Sequence, residues 1–131
     1  MSVVASDTLP EKLLGRFRGP VTDGRPTYPE RVHVEVRDAQ GGLWCLATWD
    51  ADYSPENPEV LNGKDVVSAN LDGASGVLTV GFSDDSVFTV TPNLIEEDED
   101  IENWELFTPE GLVLTYGPRG RWHLGSADDP C

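Results

Sequence analysis

The sequence predicts a mainly β fold, an antiparallel sandwich or partly closed barrel of about eight short strands with one short N-terminal helix. Three observations predict it. Apolar and polar residues alternate with period two in segment after segment from residue 31 onward. Clusters of Gly, Asp, Asn and Pro punctuate those segments every few residues. Hydrophobic residues make up 38% and charged residues 25% of the 131 positions. That is an ordinary globular composition, which excludes a disordered chain, a collagen or a coiled coil. A single β-rich domain is expected over 1–131: helix and loop over 1–30, β-domain over 31–125, tail over 126–131.

The N-terminal helix is read over residues 9–17. Thr8-Leu9-Pro10-Glu11 has capping-box spacing with an early proline, and Leu9, Leu13 and Phe17 recur every four residues. Residues 18–30 contain Gly19, Pro20, Gly24, Pro26 and Pro29 and read as loop. The first strand spans 31–37, with Val32, Val34 and Val36 on one face and His33 and Glu35 on the other. After the turn Asp38–Gly42, a second strand spans 43–49. Leu43, Cys45, Ala47 and Trp49 form one face, and Trp44, Leu46 and Thr48 the other. Both faces are apolar, so this strand is expected to be covered on both sides. Residues 51–65 hold Pro55, Pro58 and Asn62-Gly63 and read as a long loop.

Strands resume at Val66–Leu71, Leu78–Phe82 and residues 87–91, with Asp84-Asp85 as a tight turn. Three more follow, at 104–108, at Leu112–Tyr116 and around Trp122 and Leu124. The expected core includes Val34, Val36, Leu71, Val80, Phe82, Leu106, Leu114 and Trp122.

The formal net charge is −15, from 24 acids and 9 bases. Residues 1–44 carry six acids and six bases, and residues 111–131 carry two of each. Residues 45–110 carry sixteen acids and one base, Lys64, so they hold the entire net charge. A field of this sign repels nucleic acid and anionic membrane and attracts basic proteins or cations. Repulsion among the acids is expected to raise some carboxylate pKa values. Stability would then rise as pH falls, and salt would stabilise the fold at neutral pH.

The segment Gly76–Leu124 includes Leu78-Thr79-Val80-Gly81-Phe82-Ser83-Asp84-Asp85-Ser86, Trp104-Glu105-Leu106-Phe107-Thr108-Pro109-Glu110-Gly111 and Gly117-Pro118-Arg119-Gly120-Arg121-Trp122. It resembles small uncharacterised actinobacterial β-rich domains of the kind found near polymorphic-toxin immunity genes. The resemblance implies a hairpin series and says little about chemistry. It brings no catalytic residue. The acidic run at 96–102 departs from the short linker the resemblance implies.

Candidate chemistry is sparse. No calcium loop is legible, because the acidic run lacks a turning glycine. Asp50, Asp52 and Glu56 are acids without a spacing that fixes ligand geometry. His33, Cys45, His123 and Cys131 lack paired zinc-ligand spacing. No metal or other cofactor is expected, and no catalytic set is assigned. Both histidines are expected to be exposed, and Cys45 to be a small core residue unbridged to Cys131.

The leading function is therefore binding. The expected activity is that of a small acidic interaction domain, in concrete form an immunity protein or inhibitor that occludes a basic partner. The contact residues are expected to be Glu96, Glu97, Asp98, Glu99, Asp100 and Glu102, with Asp50, Asp52 and Tyr53 as a second element. Trp44 is expected to be an exposed aromatic anchor. A ligand-binding or enzymatic β-barrel and a self-assembling structural subunit are the competing readings. Neither a targeting segment nor a long apolar run is visible, so the cytoplasm is the expected location, with no membrane and no nucleic acid as partner. The oligomeric state is not legible.

Overall fold

The computed structural model describes residues 9–27, 31–48, 51–54, 57–72, 75–92, 103–116 and 122–126. Helix α1 spans Leu9–Arg16. The strands are β1 (Gly19–Thr27), β2 (Arg31–Arg37), β3 (Leu43–Thr48), β4 (Ala51–Ser54), β5 (Asp65–Leu71), β6 (Leu78–Phe82), β7 (Val87–Pro92), β8 (Trp104–Phe107), β9 (Leu112–Tyr116) and β10 (Trp122–Ser126). A single 3-10 turn, Pro58–Leu61, lies between β4 and β5. All pairings are antiparallel, in the order β10-β9-β8-β3-β2-β1-β5-β6-β7-β4, and the sheet is not closed. The mainly β class is therefore as expected, with two more strands than the sequence reading placed.

Both extra strands fall in segments read as loop. In β1, Gly19 and Pro20 pair with Val66 and Asp65 of β5, whereas Val21–Thr27 pair with β2. The strand thus passes from one half of the sheet to the other. Its glycines and prolines serve that passage. Gly19 has φ +135, and a Cβ there would collide with the Arg37 carbonyl. Gly24 lies under the Pro58 carbonyl, where a Cβ would stand 2.6 Å from the oxygen. The Asn62 side chain then behaves like a neighbouring strand. Its Oδ1 accepts from the Gly24 N–H at 2.6 Å, and its amide donates to the Gly24 carbonyl at 3.1 Å. The other extra strand, β4, is an edge of four residues held by β7.

The buried residues of the two halves form one apolar cluster. Val32, Val34, Val36, Trp44, Leu46, Leu106 and Leu114 come from the β10–β1 half. Val66, Val80, Phe82, Phe88 and Val90 come from the β5–β4 half. Leu13, Leu14 and Phe17 carry α1 into the same cluster. Arg18 ends the helix by donating to the carbonyls of Leu14 and Phe17, at 3.0 and 3.2 Å. Of the expected core, Leu71 and Trp122 are only partly buried and pack against the cluster's margin. The β6–β7 turn lacks glycine, and Asp85 itself takes the left-handed conformation at φ 70.

Cys45 is disulfide-bonded, which corrects the expectation of an unbridged core cysteine. Cys131, like Thr8 and Trp49, lies outside the described residues.

Candidate functional site

The expected contact residues divide four ways. Asp52 is exposed on edge strand β4. Tyr53 is half-buried, its ring tilted against Phe88 at 6.4 Å between centroids. Trp44 is fully buried, so it is not an exposed anchor. Its face of β3 is set by its neighbours: Trp44 pairs with Val36, and Leu46 with Val34 and Leu106, and these are core residues. The Trp44 ring meets Phe17 edge-on at 6.3 Å, its Nε1 donates to Asp38 at 2.9 Å, and Arg16 lies 4.9 Å above it. Asp50 and the run Glu96, Glu97, Asp98, Glu99, Asp100 and Glu102 lie outside the described residues.

Between residues 51 and 92, the described acids Asp52, Glu59, Asp65, Asp72, Asp84 and Asp85 are all exposed. Lys64, the only base of the 45–110 stretch, is already paired with Asp84. The Lys64 ammonium, together with the Ser86 hydroxyl and N–H, holds the Asp84 carboxyl far below the usual carboxylate range. Two further carboxyls are lowered. The Trp44 indole and the Gly42 and Gln40 N–H groups lower Asp38, and Arg16 lowers Glu110 through a 2.6 Å ion pair. These shifts run opposite to the rise expected from mutual repulsion, because each carboxylate has a local donor.

The sign of the pH dependence changes accordingly. A folded pKa below the unfolded value of about 4 stabilises the fold above that pH. The contribution is lost as pH falls through the folded values. Urea midpoints measured between neutral pH and pH 3 are expected to decline below about pH 4. A midpoint that rises on acidification would restore the repulsion account.

A second cluster lies on the outer side of β1–β3, facing away from the core. A one-residue bulge separates the pairings Val21↔Val36 and Asp23↔Glu35. It keeps Val21 in the core and sets two carboxylates opposite each other across the ladder. Arg25 pairs with His33, and Cys45 with Glu35, so these side chains share the same face. The His33 Nε2 lies 2.6 Å from Glu35 Oε2, and its Nδ1 lies 3.4 Å from Cys45 Sγ. Arg25 forms an ion pair with Asp23 and stands 3.7 Å from Glu35. His33 is only 6% exposed, which corrects the expectation of an exposed histidine. His123 on β10 is exposed, as expected.

The pairing of His33 with Glu35 was legible as two polar residues on one face of a strand. The arrival of Asp23 was not, because the bulge that delivers it lies in a segment with no alternation.

A third feature is a cleft of about 310 Å³ at the α1–β1 junction, lined by Arg16, Arg18, Arg37 and Asp38 among others. Its arginines are engaged: Arg16 with Glu110, Arg18 with the helix carbonyls, and Arg37 with the Gly41 carbonyl at 2.8 Å. It therefore reads as a bracing feature of the fold.

No family model, no curated protein and no solved structure matches this chain. No helix of the described residues is long and apolar enough to cross a membrane.

Proposed function

We propose that this chain is an acidic binding domain that receives a basic protein surface on its β4–β7 side. The observation that carries the reading is the exposed set Asp52, Glu59, Asp65, Asp72, Asp84 and Asp85, with Lys64 the one base of the stretch and already paired. Surface acids that far outnumber the bases among them attract a cationic partner over a Debye length, about 8 Å at physiological salt. In its concrete form the domain is an inhibitor, as immunity proteins are, whose carboxylates occupy a cationic site that would otherwise hold phosphates. Residues 96–102 add six acids to that field in the sequence. The Cys45 disulfide favours an oxidising compartment over the cytoplasm expected from the sequence.

The test is capture at low salt from a native lysate, followed by association kinetics with the captured protein. Two variants carry it: D52N/D84N/D85N, and one with the six acids of 96–102 replaced by Gln or Asn. Slower association with a shallower salt dependence is expected for both, with dissociation changed less. A captured partner that is not basic, or rates untouched by both variants, would sink the reading.

A further inference from the structure

We infer that Asp23, His33 and Glu35 form a binding site for a first-row divalent transition-metal ion such as Zn²⁺ or Co²⁺. One ligand atom from each residue lies within 4.8 Å of the other two. An imidazole nitrogen with two carboxylate oxygens is a mixed donor set suited to zinc, cobalt or manganese more than to calcium.

Two independent features of the ladder point the same way. Like charges directly opposite each other in an antiparallel pair are destabilising, yet the bulge at Thr22 creates such an opposition between Asp23 and Glu35. Bulges re-aim side chains next to functional sites. The imidazole is also held in a useful orientation. Nε2 points toward Glu35 Oε2, and the Cys45 sulfur packs beside the ring, 3.4 Å from Nδ1 and 3.7 Å from Nε2, limiting its rotation. In the ion-free protein the 2.6 Å contact places a ring proton between Nε2 and Glu35, and a bound ion takes the place of that proton on the Nε2 lone pair. Arg25 supplies the positive charge in the ion-free protein, contacting both carboxylates. Its side chain is 43% exposed, so it can turn into solvent when an ion takes over its role.

The roles of the residues are therefore separable. Asp23, His33 and Glu35 are ligands, and Arg25 is the competitor. Removing a ligand should weaken binding, whereas removing Arg25 should strengthen it. A purely structural ion-pair network gives no such gain, because R25Q would then leave two carboxylates opposed and nothing bound.

The experiment is titration of the full-length, disulfide-intact chain with Zn²⁺ by calorimetry. It is run in physiological salt and excess Mg²⁺, so that the remaining surface carboxylates are screened or occupied. Co²⁺ absorption reports coordination geometry in parallel. The expected result is one saturable site. H33A should weaken it about tenfold or more, and R25Q should tighten it about tenfold. D23N and E35Q, which keep side-chain volume, provide the ligand test if H33A fails to fold by circular dichroism. The proposal is overturned if the wild-type chain shows no saturable Zn²⁺ binding. It is equally overturned if folded ligand variants bind as tightly as wild type, or if folded R25Q binds no more tightly.

Discussion

Replacing Trp104 by alanine is expected to cost the fold about 3–5 kcal/mol. The ring is fully buried on β8, stacked on Tyr116 with centroids 5.2 Å apart and planes 12° from parallel. Its neighbours Leu106 and Leu114 are also fully buried, so little can relax into the space it leaves. A loss of this size is a large part of the roughly 5–15 kcal/mol by which domains are stable. Urea unfolding followed by far-UV circular dichroism measures it. Two controls sharpen the result. The Trp104 indole N–H finds no acceptor among the described residues. W104F, which keeps most of the ring and removes that donor, should therefore be much milder than W104A. W122A should also be milder, because Trp122 is only partly buried, on edge strand β10. Equal losses for W104A and W122A would mean that the two ends of this half are packed alike, against the burial described above.

Substituting Gly19 by alanine is the second large effect expected. Two separate penalties coincide there. A φ of +135 is a conformation that residues with a Cβ rarely adopt, and holding one there costs about 1–3 kcal/mol. The added methyl also collides with the Arg37 carbonyl, which belongs to the ladder of β2 and cannot swing aside like a side chain. The loss should therefore exceed the backbone term alone. G15A is the matched control: Gly15 lies in α1 with open space around its missing Cβ, and alanine there gains helix propensity. The two variants should move the urea midpoint in opposite directions. A G19A protein as stable as wild type would show that β1 can cross between the halves without its left-handed residue.

Much of this fold was legible because alternation is a local signal. The strands at Arg31–Arg37, Leu78–Phe82 and Leu112–Tyr116 lie where the pattern puts them, and helix α1 lies where the four-residue spacing puts it. β1 was hidden because its partners are supplied by distant residues. Asn62 stands in for a strand at Gly24, and Val66 and Asp65 receive Gly19 and Pro20. Glycine and proline then signal a crossing of sheets, which no window of neighbouring residues distinguishes from a loop. Trp44 was misplaced for a different reason. β3 is apolar on both faces, so its own residues do not say which side is the core, and strand pairing decides it. The Asp23–His33–Glu35 cluster combined the two difficulties, needing both the pairing of β1 with β2 and a one-residue slip within it.

The neighbour of β3 on its far side is β8, and the whole of β4–β7 lies between them in sequence. On a ribosome this becomes a matter of timing. β2 and β3 can pair as soon as they emerge, but the outer edge of β3 must wait while residues 49–103 are made. At roughly 5–20 residues per second, that edge stands open for several seconds. It presents Trp44, Cys45 and Leu46 on an unpaired strand, the kind of surface that recruits other chains. A codon-level slowdown between β3 and β8 should therefore lower soluble yield more than the same slowdown placed after β10, although the finished protein is identical.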